Sequence, residues 1–272
     1  YCAAAGIECT IAILETTPAG KLTQMLAYGA QLIRVRGFGV DPNATKATFE
    51  ELVSVGRAEG SPPQISAFLY SPIGMSGVQT ISYELAQQFA VQGGGPDRIF
   101  APAGGGGLAL AVALGFETLG PYDQPTPCID VVQPAGNDTI ASSLRNGSLH
   151  AREVACKTSI SGLQVASVLD GDAVVSHCRA TGGTGHVVTD ESIKRAQRRL
   201  AREEGVFCEP AGAVALAGAL SAMAAGEMNP SETIVCLVTG SGFKDPSSIQ
   251  EMSKNREVPT VELKQLAASL IS

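Results

Sequence analysis

"DRIFAPAGGGGLALAVALGF", residues 97–116, joins three kinds of sequence: an apolar strand-like run, four glycines at 104–107, and an alanine- and leucine-rich run that favours helix. Glycine loses more backbone freedom on folding than any other residue, so four in succession need a compensating role. Between a strand and a helix, glycines let backbone N–H groups approach a ligand closely. The helix start adds its unpaired donors and the positive end of its dipole. The stretch therefore points to a phosphate cradle, with tight helix packing as the competing explanation. No Gly-Lys-Ser/Thr follows, which excludes a P-loop. Gly104, Gly106 and Ala109 do match a loose dinucleotide fingerprint, whose acidic ribose partner is expected at the tip of the next strand. That strand, "CIDVVQP" (128–134), ends in Gln133-Pro134 and carries Asp130 inside it.

Outward from the loop, strand-like and helix-like segments alternate, the pattern of a parallel α/β architecture. Strands are expected at 9–14, 31–37, 63–72, 173–181 and 232–242. The helices expected are 20–30, 43–60 (capped by Asn43 or Thr45), 74–96, 108–119, a polar one around 138–145, and 189–204. The last of these has Thr189 or Asp190 as its cap, and Arg199 is spaced to pair with Glu203. "EPAGAVALAGALSAMAAG" (209–226) is so apolar that its helix should be buried. Residues 1–70 are expected to form a smaller α/β unit and 71–272 a larger one, with an exposed strand–helix tail from 254.

Composition narrows the classes. Of 272 residues, 44% are hydrophobic and 17% charged, which is globular rather than disordered. Nineteen basic and 26 acidic residues give a net charge of −7, with no basic stripe to suit nucleic acid or an anionic membrane. No apolar run approaches the roughly 20 residues that span a bilayer. Seven scattered cysteines, none in a C-x-x-C pair, suggest reduced thiols and a cytoplasmic location. His150, His177 and His186 lack metal-ligand spacing, so no metal is expected. The first residues, "YCAAAG", read as the last turns of a helix closed by a glycine cap, without an initiator methionine. The expectation is a chain that lacks residues upstream.

A second stretch, "VCLVTGSGFKDP" (235–246), is a buried strand that ends in Thr239, Gly240, Ser241 and Gly242. In a parallel sheet the carboxyl ends of the strands share one rim, so a hydroxyl here can meet the far end of a ligand whose phosphate lies at 104–107. A plain glycine turn is the alternative.

Taken in order, "DRIFAPAGGGGLALAVALGF", "EEGVFCEPAGAVALAGAL" and "IVCLVTGSGFKDP" resemble the fold-type II pyridoxal-phosphate enzymes, most of all the threonine synthases and their threonine dehydratase relatives. Gly77 and Thr80 in "SPIGMSGVQTISYELAQQF" match the family segment that precedes the phosphate loop. The resemblance spans 1–246 and implies a tryptophan synthase β-like fold, with two three-layer α/β domains and mostly parallel sheets. It implies that Gly104, Gly105, Gly106, Gly107 and Leu108 bind the phosphate of pyridoxal 5'-phosphate through their amides. Thr239 would hydrogen-bond the ring nitrogen, with Glu209 and Gly240 at the pocket. The expected partners are a small amino-acid substrate and a second copy of the chain in a homodimer. The implied reaction is conversion of O-phosphohomoserine and water to threonine and phosphate. A threonine or serine dehydratase is the alternative, favoured by the four glycines where many synthases carry asparagines. A non-catalytic or dinucleotide-binding protein on the same fold is the alternative from another class.

The family's Schiff-base lysine sits in Ser-x-Lys-Asp-Arg, followed by a Ser-Ser-Gly-Asn loop for the substrate carboxylate. Neither motif occurs in this sequence, and none of its seven lysines has that context. No catalytic residue is therefore assigned within 1–272. The lysine is expected upstream of Tyr1, and the chain alone is expected to be inactive.

Overall fold

The computed structural model describes residues 1–39, 41–61, 63–120, 126–165, 167–254 and 256–271. Its strands form two sheets. The first pairs β1 (Thr10–Ile13) with β2 (Gln31–Arg34), parallel, with Thr10 opposite Gln31. The second contains β3 (Arg98–Pro102), β4 (Cys128–Pro134), β5 (Gly185–Val188) and β6 (Ile234–Cys236) in the order β5-β4-β3-β6, with every neighbour parallel.

The larger sheet is covered on both faces, and the two-residue period of its strands explains how. Ile99 and Ala101 of β3 join Ile129 and Val131 of β4 in a core with the helices Gly107–Leu119 and Gly171–Ala180. Phe100 and Val132 point the other way, into a core with Asp190–Glu203 and Val214–Ala224. All six of these strand side chains are fully buried. The apolar helix at 214–224 packs closely enough that a Cβ on Gly218 would lie 2.5 Å from Val132 Cγ2.

Sequence and structure agree on most elements around this sheet. Thr189 caps the helix at 190–203 by accepting from the Ser192 amide, and Arg199 Nε reaches Glu203 at 2.9 Å. Gly6 ends the short helix Cys2–Ala5 in the left-handed conformation.

Four readings are corrected. Residues 173–181, expected as a strand, lie in the helix Gly171–Ala180, where Val174, Val175 and Cys178 bury one helical face against Gly107–Leu119. Residues 63–72 do not form a strand. The amides of Tyr70 and Ser71 turn back to the Ala67 carbonyl, while those of Phe68 and Leu69 donate to the Asp170 carboxylate. The helix Pro42–Ala58 is capped by Asp41, which accepts from the Ala44 amide at 2.7 Å, rather than by Asn43 or Thr45. In the tail, the described residues form the helix Leu266–Ile271 and no strand.

Asp130 fastens three strands of the larger sheet. Fully buried, it accepts from Arg98 Nη1 at 2.8 Å and from the Thr184 amide at 2.7 Å, and lies 3.2 Å from His186 Nε2. The turn into β5 fits under this network only without side chains. A Cβ on Gly185 would sit 1.9 Å from the Ala141 carbonyl oxygen. Gly185→Ala is therefore expected to cost at least about 3 kcal/mol, because backbone rather than a flexible side chain must move. At Gly94 nothing lies within 4 Å of an added Cβ. Gly94→Ala should stay within about 0.5 kcal/mol of the parent in urea unfolding.

Candidate functional site

Strand order locates the site. The chain runs from β3 to β4 to β5 towards one edge, then returns to place β6 on the other side of β3. At such a reversal the loops after the two strands on either side of it, here β3 and β6, part and leave a crevice at the carboxyl ends. The loops that flank this one are 103–107 after β3 and 237–242 after β6.

The first is the glycine loop. Gly106 has φ +94° and caps the helix Gly107–Leu119, a conformation that strains any residue with a side chain. Among the described residues, the amides of Gly104, Gly105, Gly106, Gly107 and Leu108 have no acceptor; the first donor returned to the loop is Leu110, to the Gly106 carbonyl. Five free amides at a helix start suit an anion. The loop is held from behind by Gln133, whose Nε2 donates to the Gly104 carbonyl at 3.2 Å and to Thr139 Oγ1 at 3.0 Å. Its Oε1 accepts from the Ile140 and Ala141 amides at 2.7 and 2.8 Å. Sequence reasoning missed this residue, noting only that Gln133 stands where a dinucleotide fold carries an acid. The nearby Asp130 is engaged elsewhere in the sheet, so no acidic ribose partner stands at the tip of β4.

Across the crevice, Thr239 is half-buried, and its hydroxyl has no hydrogen-bond partner among the described residues. Behind it the backbone is crowded: a Cβ on Gly212 would lie 2.4 Å from the Thr239 carbonyl. Glu209 opens the turn Pro210–Ala213, donates its amide to the Gly240 carbonyl at 2.9 Å, and lays its carboxylate over Gly240. A Cβ on Gly240 would fall 1.9 Å from Glu209 Oε1, so the glycine makes room for this carboxylate.

Residues 160–170 cover the glycine loop between these walls. The Gly162 carbonyl lies 3.1 Å from where a Gly104 Cβ would be, and Leu169 Cδ1 lies 2.8 Å from the same point on Gly105. Asp170, almost fully buried, places Oδ2 3.4 Å from the Gly107 Cβ position. Its two oxygens are engaged by the Phe68 and Leu69 amides. The structure thus brings Gly104 to Leu108, Thr239, Glu209 and Gly240 around one rim. The free amides on one side and the free hydroxyl on the other fit a ligand that carries a phosphate at one end and a polar ring atom at the other.

A parallel sheet with a glycine loop of free amides at its reversal point has the form of a site for a phosphorylated ligand. Residues 1–240 match the model of the pyridoxal-phosphate dependent enzymes, and the chain belongs to that family. It is 31% identical over 267 residues to the threonine synthase of Methanosarcina acetivorans, covering 96% of this chain and 62% of that protein. With the threonine synthase of Methanocaldococcus jannaschii it shares 30% over 257 residues, covering 91% and 60%. The chain therefore spans about three-fifths of the length of these curated relatives. Maize serine racemase has the same fold at a TM-score of 0.68 and 24% identity, covering 99% of this chain and 71% of that one. Threonine deaminase isoform 2 from Solanum lycopersicum gives 0.68 at 24% identity, covering 93% and 68%. No helix among the described residues is long and apolar enough to cross a membrane.

Proposed function

We propose that this chain forms the cofactor-holding part of an enzyme that uses pyridoxal phosphate for elimination or replacement on a small amino acid. The leading reaction is that of a threonine synthase, from O-phosphohomoserine and water to threonine and phosphate. The observation that carries this reading is the pairing of free loop amides with the free Thr239 hydroxyl across the strand-order reversal. The extended similarity to two threonine synthases supports the choice of reaction.

In this reading the amides of Gly104 to Leu108 and the dipole of the following helix hold the phosphate. Thr239 meets the ring nitrogen. A neutral hydroxyl does not favour protonation of that nitrogen as a carboxylate would. Pyridoxal phosphate supplies an electron sink when bound, and an unprotonated ring makes it an incomplete one, suited to substrates whose leaving group departs with the electrons. Residues 1–70 form the smaller unit, 71–272 the larger, and the substrate enters between them.

A second reading, deamination of threonine or serine, is favoured by the four glycines of the loop. The two are separated by supplying the full gene product with O-phosphohomoserine, threonine and serine. Inorganic phosphate released together with threonine supports the synthase. Ammonia released from threonine or serine supports the dehydratase, and neither product overturns both.

Two further outcomes test the site itself. At Gly105 the three atoms nearest a new Cβ all belong to the Leu169 side chain, and the closest is its flexible end, Cδ1, at 2.8 Å. Gly105→Asp should therefore fold, yet set a carboxylate against the phosphate. Its affinity for pyridoxal phosphate, read by fluorescence titration, is expected to fall at least about tenfold, or 1.4 kcal/mol. Unchanged affinity would remove the loop from the site. None of the seven lysines has the Schiff-base context, so residues 1–272 are expected to hold the cofactor non-covalently. Borohydride reduction and peptide mapping should then find no stoichiometric pyridoxyl-lysine. One-to-one labelling of a single lysine would show that the chain carries its own anchor.

A further inference from the structure

Lys21 belongs to the helix Ala19–Ala27, which connects β1 to β2, yet its ammonium group reaches the crevice of the larger sheet. Its Nζ lies 3.3 Å from Glu209 Oε2 and donates to Ser161 Oγ at 3.2 Å. Both side chains are shielded, Lys21 at 23% exposure and Glu209 at 10%. Among the described residues this is the one ion pair that joins residues 1–70 to the rest of the chain.

The pair touches both walls of the crevice. Glu209 covers Gly240, next to Thr239. Lys21 Nζ lies 3.5 Å from the Cβ position of Gly162, the residue whose carbonyl closes on Gly104. A buried carboxylate between these walls would repel any phosphorylated ligand if left unpaired, and at low dielectric that repulsion is strong.

We infer that Lys21 is a positioning residue for the cofactor: it neutralises Glu209 and so ties closure of the β1–β2 layer to binding of the phosphorylated ring. This rests on the cofactor reading above. Its signature is a loss of affinity on breaking the pair that is recovered when the Glu209 charge is removed as well. In Lys21→Met, Glu209 loses the ammonium group that faces it.

The test is titration of the 272-residue chain with pyridoxal phosphate by fluorescence at pH 8, with each variant compared to the parent. Lys21→Met is expected to weaken binding about tenfold. Lys21→Arg should bind like the parent, and Glu209→Gln placed in the Lys21→Met background should restore affinity to within about threefold. A deficit that is not rescued by Glu209→Gln would make Lys21 a mere tether and overturn the inference, as would parental affinity in Lys21→Met. Failure of the parent itself to bind would instead defeat the cofactor reading, and the inference with it.

Discussion

Gln133 sits at the tip of β4 with no exposed surface, and both of its amide hydrogens and its oxygen are engaged. It ties the Gly104 carbonyl to the sheet, and it takes up the Ile140 and Ala141 amides where the helix Ala141–Arg145 begins. Ile140 and Ala141 are fully buried, so removing Gln133 would leave their amides unpaired at about 1–3 kcal/mol apiece. Fixing the carbonyl side of the loop behind the rim leaves the free amides of the next residues as its unused polar groups. The free amides of the rim are therefore held in place by a side chain that need never touch a ligand.

The elements that were legible in the sequence are those whose signals are local. The glycine loop lies between a buried strand and an apolar helix; Thr189 precedes a strongly amphipathic run; Pro210 and the small residues after it mark a buried helix. The misreadings each have a remote or competing cause. Val174 and Val175 favour strand by their branched side chains, but the buried face that includes Cys178 is helical. Ile65, Ala67 and Leu69 alternate as a strand would, yet Asp170, 102 residues from Phe68, takes the amides that would have paired. Gln133 looked like a missing acid because its partners are backbone groups, which composition does not reveal. Lys21 and Glu209 meet through the packing of two sheets, and neither carries a mark of the other in sequence.

The dinucleotide alternative fails on the same kind of detail. Asp130 is not at the strand tip but among Arg98, Thr184 and His186, where it joins β3, β4 and β5. One acidic residue thus serves the interior of the sheet while a neutral amide serves its rim.

The two sheets differ sharply in how much they bury. Both faces of β3 and β4 are packed in closed cores, and the helix over Val132 has no slack at Gly218. Among the described residues of 1–70 the buried apolar side chains are Ile13, Phe38 and Ala67. Opening of the first sheet thus exposes little apolar surface and costs far less than global unfolding, so its amides exchange with solvent through local fluctuations. The lower apolar burial of the first sheet implies weaker backbone protection there than in the larger sheet. A ligand that engages the seam where Lys21 meets Glu209 would register first as slowed exchange in β1 and β2, at a distance from the loop that binds it.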